Sequence, residues 1–253
     1  MLTVKYLSKH FDGLVAVKDL SFDINQGEIL AIIGPNGAGK STVFNLMTGT
    51  LKPTAGKVFI HEEDITGLKP YQIVKKGVSR TFQTTSLFDQ LRVIDNMLIA
   101  SKWRTGLGFW NTLFHTPGWK SDHDKAVENA LETLQFLGLA EKALSFIPTL
   151  SQEEQKRLAI GIALVSKPKI LLLDEPTGGL IQEETERITQ FIRSVRDQGT
   201  TVCLIEHKMQ MVMGLADRIV VLNYGEKIAE GTPDHIKGNQ AVIEAYLGGE
   251  VHA

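Results

Sequence analysis

Short runs of apolar residues recur along the chain, and several are continuous rather than alternating with polar residues. They cover residues 3–7, 20–24, 28–33, 57–60, 170–173, 201–205 and 219–222. Such runs predict β-strands, and the continuous ones predict strands buried on both faces. Helical spacing appears between them in an apolar stripe before Gly199 that consists of Ile188, Phe191, Ile192 and Val195. Strands that alternate with helices predict an α/β fold built on a mainly parallel sheet.

The strand pattern fades between residues 84 and 168. Helical spacing replaces it, with an apolar stripe that ends before a glycine and consists of Val127, Ala130, Leu131, Leu134 and Leu137. We therefore expect residues 1–253 to form a single domain. Its α/β core would comprise residues 1–83 and 169–253, and residues 84–168 would form a mainly helical lobe inserted in that core.

Composition narrows the class of protein. The chain has 253 residues, of which 43% are hydrophobic, enough for a sizeable core. A net charge of −2 supplies no basic excess, so a nucleic-acid partner is not expected. The single cysteine, Cys203, lies in an apolar run, which indicates a buried filler residue and a reducing compartment. No apolar run is long enough to span a bilayer, so work at a membrane would require a partner.

The three tryptophans, Trp103, Trp110 and Trp119, all fall within residues 101–120. Two interpretations stay open for this segment. It can form a small hydrophobic cluster under a long loop, or it can present a docking surface to another protein.

A glycine-rich loop carries the first chemical signal. It follows the apolar run 29–33 and reads Gly34, Pro35, Asn36, Gly37, Ala38, Gly39, Lys40 and Ser41, with Thr42 next. Glycines permit positive φ angles that turn several backbone N–H groups toward one anion, and a helix that begins there adds its positive end. Lys40 would contact the β- and γ-phosphates, and Ser41 would bind Mg²⁺. A plain glycine-rich turn explains neither the Lys-Ser pair nor the flanks.

A buried strand ending in Asp174 and Glu175 would complete the site. Asp174 suits the Mg²⁺ shell because hard cations prefer oxygen ligands, and Glu175 would face the attacking water. A third strand, 201–205, leads to His207, which can reach the γ-phosphate or the water if it opens onto the same crevice. The amide of Gln83 can bind Mg²⁺ or water. For both of these residues an ordinary structural role stays equally open.

In order, these segments resemble the ATP-binding subunit of an ABC transporter. The resemblance covers nearly the whole chain and rests on the phosphate loop, the Asp174-Glu175 pair, His207, and a signature region that starts at Leu150-Ser151. It implies ATP and Mg²⁺ as cofactors and two cassettes that close head to tail over two ATP molecules. It further implies that Phe11 stacks on adenine, that Glu175 is the general base and that His207 is the switch residue. Gln83 and Ser151 match family positions that contact the nucleotide site.

Within that family the chain is most similar to the ATPase subunits of branched-chain amino-acid importers, particularly the LivG-like member. The segments 77–83, 205–209 and 231–248 carry this resemblance. It implies a second ATPase subunit and transmembrane permease subunits as partners, with a solute-binding protein as an indirect one. The chain would then lie peripherally on the cytoplasmic face of the membrane.

The signature departs from the family pattern. The family has Leu-Ser-Gly-Gly-Gln, whereas this chain has Glu153 at the fourth place, and Ile181 stands where an Asp or Asn is usual. Glu153 is expected to bring bulk and negative charge toward a γ-phosphate held by the opposite subunit. Ser151 and Glu154 have capping-box spacing, so the serine hydroxyl can satisfy its own helix. We hypothesise an asymmetric dimer in which a heterodimeric partner supplies the normal signature.

Three other functions use the same kind of phosphate loop. A soluble ABC ATPase in repair or translation would usually have two cassettes or a long coiled coil, and this chain has neither. A P-loop kinase would leave Gln83, His207 and the signature-like helix start unexplained. A regulatory ATP-binding subunit with little hydrolysis stays open because of the altered signature.

Overall fold

The computed structural model describes residues 1–81, 87–105 and 117–247. The chain divides into two compact units. The first comprises Met1–Arg80 and Lys169–Ala253, and the second comprises Thr81–Pro168. The first unit ends at Arg80 because a short strand there pairs with Ile170–Asp174. The boundary expected after residue 83 falls three residues later, within a stretch that lies outside the described residues.

All strands found in the described residues lie in the first unit. They are β1 Leu2–Phe11, β2 Leu14–Ile24, β3 Ile29–Ile33, β4 Ala55–Ile60, β5 Glu63–Asp64, β6 Val78–Arg80, β7 Ile170–Asp174, β8 Thr201–Ile205, β9 Arg218–Asn223 and β10 Glu226–Gly231. One sheet has four strands in the order β2-β1-β4-β5 and is antiparallel. The other has six strands in the order β10-β9-β3-β8-β7-β6. Adjacent strands in this sheet are parallel, except that β9 and β10 are antiparallel.

The described helices are distributed over both units. They are α1 Lys40–Met47, α2 Pro70–Lys75, α3 Val93–Thr105, α4 Pro117–Phe136, α5 Gln152–Leu164, α6 Gln182–Asp197, α7 Met209–Leu215, α8 Pro233–Lys237 and α9 Gln240–Leu247. Two single-turn 3-10 helices, Ala140–Lys142 and Ile147–Thr149, precede α5. The second unit therefore contains α3, α4 and α5 and, among its described residues, one isolated bridge between Arg92 and Phe146 but no strand.

The continuous apolar runs form the centre of the six-stranded sheet. Every residue of β3, β7 and β8 is buried, as expected for parallel strands covered on both faces. Cys203 in β8 is fully buried, and burial raises the pKa of its thiol. The predicted α/β fold with a mainly parallel sheet is confirmed. The site is positioned by this packing, because the carboxyl ends of β3, β7 and β8 open onto one edge.

Two predicted runs cover only about half of the strand to which each belongs. Runs 3–7 and 20–24 are parts of β1 and β2, which form a long antiparallel hairpin around a turn at Asp12, whose φ is 47°. Polar strands escaped prediction because they lack an apolar run. These are β5, β6 and β10, at sheet edges.

Most positions of the helical stripes are buried, Val127 and Phe191 are partly buried, and Leu131 is exposed. Ile188, Ile192 and Val195 are buried on α6. On α4, Ala130 and Leu134 are buried, but Leu131 is 46% exposed. Successive residues lie about 100° apart around a helix, and Leu131 falls beyond the buried stripe. Leu131 was therefore wrongly included in the predicted core stripe.

Candidate nucleotide site

The loop between β3 and α1 is shaped by its glycines. Gly34, Gly37 and Gly39 have φ angles of 152°, 78° and 96°. A Cβ on Gly34 would lie 2.1 Å from the carbonyl oxygen of Leu222, and one on Gly39 would lie 2.4 Å from that of Ala16. Larger residues at either position would displace backbone. The loop therefore fits closely against its neighbours and presents the start of α1 as an anion-binding end.

Lys40 begins α1 and lies folded against this loop. Its Nζ donates hydrogen bonds to the carbonyl oxygens of Gly34 at 2.7 Å and Pro35 at 2.9 Å. The residue is buried. Burial lowers the pKa of its ammonium group, while the carboxylates of Glu175 and Asp174 act in the opposite direction. The lysine therefore lies within electrostatic reach of both acids.

Asp174 ends β7 and is tied to α1 through an arginine. Its Oδ2 accepts a hydrogen bond from Nη2 of Arg80 at 2.7 Å, and both side chains are buried. The other arm of Arg80 donates to Oδ1 of Asn45 in α1 at 2.6 Å. The guanidinium also lies over the ring of Phe44, 5.5 Å from its centroid. Arg80 thus connects the acidic strand end to the helix of the phosphate loop.

Glu175 and His207 meet across two neighbouring strand ends. Their Oε1 and Nε2 atoms are 3.0 Å apart. β7 and β8 pair in parallel with Asp174 opposite Ile205, and the backbone N–H of Glu175 donates to the carbonyl oxygen of Ile205 at 3.0 Å. Glu175 has a positive φ of 49°. Both side chains keep some exposure, 27% for Glu175 and 41% for His207, so a water or a phosphate can reach them.

A buried acid beside His207 was missed by the sequence reasoning. Glu206 is 2% exposed, and its carboxylate accepts hydrogen bonds from backbone N–H groups of Thr177, His207 and Lys208. Arg80 was missed as well. Arg80 lies in the segment 77–83 and Glu206 in the segment 205–209. Each is a charged residue at or directly after the end of a strand, a position where a buried charge needs partners.

Two further aromatic residues belong to the first unit. Phe11 ends β1 and is 40% exposed, with Nζ of Lys9 5.0 Å from the centroid of its ring. Tyr246 on α9 accepts a hydrogen bond from the backbone N–H of Gly34; burial raises the pKa of its hydroxyl and this bond acts against the rise. Tyr246 lies in the segment 231–248, which contributed only to the subfamily resemblance. Nothing in the sequence indicated that α9 contacts the phosphate loop.

Some predicted residues lie outside the description. Gln83 falls in residues 82–86, which lie outside the described residues. Residues 106–116, which include Trp110 and most of the segment 101–120, lie outside them as well. The expected binding of Mg²⁺ or water by Gln83 and the two interpretations of residues 101–120 stay predictions.

The signature region belongs to the second unit and begins α5. Ser151 is its N-cap: its Oγ accepts from the N–H of Glu154 at 3.2 Å, and the Ser151 N–H donates to the Glu154 carboxylate at 2.9 Å. The predicted capping box is confirmed. Lys142 also binds Glu154, with Nζ 2.6 Å from Oε1. The serine hydroxyl is therefore engaged by its own helix.

Glu153 does not present an unpaired charge. Its side chain is 5% exposed, and its Oε2 lies 2.5 Å from Nη2 of Arg157, one turn along α5. The expected negative charge is thus present but paired within its own helix, and its effect on an opposite subunit stays a prediction. The pairing arises because a helix places residues i and i+4 on one face, so Arg157 can neutralise the acid before any partner approaches.

Comparison with known proteins identifies this arrangement. Residues 17–178 match the ABC transporter family, and residues 226–252 match the branched-chain amino acid ATP-binding cassette transporter family. The chain belongs to the ABC transporter family. It is an ATPase of that family and binds nucleotide as an ATP-binding cassette.

Individual relatives extend the match over nearly the whole cassette. The chain is 42% identical over 249 residues to a high-affinity branched-chain amino acid transport ATP-binding protein, LivG, of Salmonella typhimurium, covering 98% of each chain. It is 40% identical, with the same coverage, to BraF of Pseudomonas aeruginosa, which has the same description. A crystal structure of an ATP-binding cassette in an ADP conformation is 32% identical, with a TM-score of 0.87 and 98% of each chain covered. The predicted resemblance is confirmed.

Proposed function

We propose that this cassette binds and hydrolyses ATP to power an importer of branched-chain or related amino acids. One arrangement carries the proposal. The charges of Glu175 and Asp174 act on the buried Lys40 of the phosphate loop, and the Glu175 carboxylate lies 3.0 Å from Nε2 of His207. The substrate class is supported by the names of the LivG and BraF relatives and by the match over residues 226–252.

The loop residues Gly34–Thr42 would hold the phosphates of ATP through backbone N–H groups and Lys40. Mg²⁺ fits the donor set, because Ser41 offers an exposed hydroxyl and Asp174 a carboxylate, both hard oxygen ligands. The sequence adds the amide oxygen of Gln83. When bound, Mg²⁺ neutralises charge that develops on the phosphates.

Glu175 would act as general base. Its carboxylate would accept a proton from the attacking water, and His207 would orient that carboxylate and contact the γ-phosphate. The distance of 3.0 Å between Glu175 Oε1 and His207 Nε2 supports these two roles. Phe11 would stack on adenine, which its exposure supports.

The partners would be a second ATPase subunit and transmembrane permease subunits, with a solute-binding protein as an indirect partner. None of the described helices is long and apolar enough to cross a bilayer. Peripheral attachment on the cytoplasmic face would therefore run through the permease subunits. The printed functions of the LivG and BraF relatives support this assembly.

We further propose that the dimer is asymmetric. The charge of Glu153 is paired with Arg157, so the remaining obstacle is bulk where the family has glycine. Ser151 is also held in its own capping box, and Ile181 is 64% exposed where an Asp or Asn is usual. A heterodimeric partner with a normal signature would then complete the hydrolysing site.

Glu175→Gln tests the assignment of the base. The variant should bind ATP normally and trap the closed, ATP-bound dimer, with hydrolysis lowered about 10²- to 10⁴-fold. ATP binding, dimerisation on ATP and hydrolysis should be measured in the assembled complex. Glu183→Gln, at an exposed position on α6, is the matched control and should hydrolyse ATP normally. Unchanged hydrolysis by the Glu175 variant would reject the base.

The altered signature favours one alternative function, a regulatory ATP-binding subunit with little hydrolysis. Single-turnover hydrolysis by the assembled complex separates the two. Release of phosphate from the ATP bound to this chain supports the hydrolysing role, whereas stable retention of that ATP supports the regulatory one.

A further inference from the structure

Glu206 links the two loops that carry Glu175 and His207. Its Oε1 accepts the backbone N–H of Thr177 at 2.8 Å and also the Thr177 hydroxyl. Its Oε2 accepts the backbone N–H groups of His207 at 2.9 Å and Lys208 at 3.3 Å. One carboxylate oxygen therefore serves the loop after β7, and the other serves the loop after β8.

The surroundings make this contact a rigid one. Glu206 is 2% exposed and Thr177 is fully buried. Water does not compete for these hydrogen bonds, and a buried carboxylate that loses an acceptor leaves an N–H group unsatisfied. The neighbour Lys208 adds a second tie, because its Nζ donates to the carbonyl oxygen of Leu180 at 2.7 Å and to Oγ1 of Thr185 at 2.8 Å.

We propose that Glu206 is a positioning residue for ATP hydrolysis, holding Glu175 in contact with His207. Glu175 itself has a positive φ, a conformation that L side chains rarely adopt and that persists where the surroundings impose it. Thr177, two residues later, is fixed to Glu206, and His207 follows Glu206 directly. The carboxylate thus sets the distance between the two loops. This inference rests on the proposed roles of Glu175 and His207.

Glu206→Gln is the decisive variant. It keeps the shape but replaces one acceptor oxygen with an NH₂ group that faces N–H donors. We expect kcat for ATP hydrolysis in the assembled complex to fall about ten- to a hundredfold, since small misplacements of reacting groups have effects of that size. The KM for ATP and the nucleotide affinity should stay within about twofold, because the phosphate loop is untouched.

Glu28→Gln is the matched control. Glu28 is another largely buried glutamate that accepts from a backbone N–H and from Arg218, but it precedes β3 at the end opposite the phosphate loop. Its substitution should lower Tm without a selective loss of kcat. Thr177→Val, which removes only the hydroxyl, should lower kcat a few-fold, and Thr177→Ser should restore it.

The outcomes separate this inference from the proposed function. Normal kcat in Glu206→Gln, with Glu175→Gln inactive, overturns the positioning role alone. Normal hydrolysis by Glu175→Gln overturns the proposed base and the inference with it. If Glu206→Gln lowers Tm and kcat no more than Glu28→Gln does, Glu206 contributes to stability only and the positioning role is overturned. If Glu206→Gln fails to fold, the Thr177 pair decides: equal kcat in Val and Ser variants contradicts the proposal.

Discussion

Lys40 illustrates how a single residue is shaped by its surroundings. The side chain is buried at 6% exposure, and its ammonium group is held by two carbonyl oxygens of its own loop. Burial disfavours the charged form, whereas the acids at the end of β7 favour it. The lysine is thus kept at the phosphate loop, where we propose that a phosphate oxygen of ATP replaces the carbonyls as its partner.

Lys40→Met should weaken ATP binding while the cassette stays folded. The thioether chain fills a similar volume, but the charge-assisted contact to the phosphates, about 1.5–3 kcal/mol, is lost. This corresponds to a rise in Kd of roughly 10- to 150-fold. Calorimetric titration with Mg-ATP measures it.

Lys52→Met is the control, because Lys52 is exposed after α1. Its Kd should equal that of the unaltered chain. Equal ATP affinity in the Lys40 variant would remove the lysine from the phosphate site.

Single contacts of this kind depend on elements that deliver them. The site is made of strand ends: Asp174 and Glu175 follow β7, and Glu206 and His207 follow β8, its parallel neighbour. Parallel pairing places all four at one edge, as open α/β sheets do with their ligand sites. In the second unit, the capping box at Ser151 fixes where α5 begins.

Glu154→Gln should lower the stability of the protein in a pH-dependent way. Burial acts to raise the pKa of the Glu154 carboxyl, but Lys142 and the Ser151 N–H outweigh it, so the net pKa is lowered. A lowered folded pKa adds stability above the unfolded pKa of about 4.3, and this stability is lost as pH falls through the folded value. The variant should be about 1 kcal/mol less stable at pH 7, with a smaller difference below about pH 4.

Urea denaturation at several pH values measures this effect. Glu141→Gln, at an exposed position nearby, should show little difference at any pH. A gap between Glu154→Gln and the unaltered chain that widens on acidification would contradict the sign derived for Glu154.

The whole molecule comprises a nucleotide unit and a helical unit that carries the signature. In the proposed dimer, each nucleotide site needs a signature region from the opposite subunit. In this chain the signature carries Glu153 paired with Arg157 in place of a glycine. The complete set of Lys40, Asp174 and Glu175 belongs to the same chain, which is the basis for the proposed asymmetry.

The purified chain alone should hydrolyse ATP slowly, and addition of its partner ATPase subunit should raise turnover at least about tenfold. The reason is that two altered signatures face both sites of a homodimer. Steady-state phosphate release measures turnover. Glu153→Gly should raise the turnover of the chain alone, with Tm recorded beside it because Arg157 loses its partner. Robust turnover by the unaltered chain alone would refute the asymmetry.

The sequence predicted the elements that have a strong local signal. Continuous apolar runs gave β3, β7 and β8, and the capping-box spacing gave the start of α5, because both patterns are set by neighbours in the chain. Polar edge strands such as β10 and the exposure of Leu131 were not predicted. Their environment is set by residues far away in the sequence, which local periodicity does not contain.

The amino-acid sequence alone indicates a phosphate loop, an acidic strand end and the cassette family to which both belong. The pairing of the buried charges follows from the three-dimensional arrangement. Arg80 joins Asn45 to Asp174, and Glu206 holds Thr177 beside His207. A motif fixes which groups are present, but the partner of a buried charge depends on which strands become neighbours. That choice is made by the packing of the whole sheet.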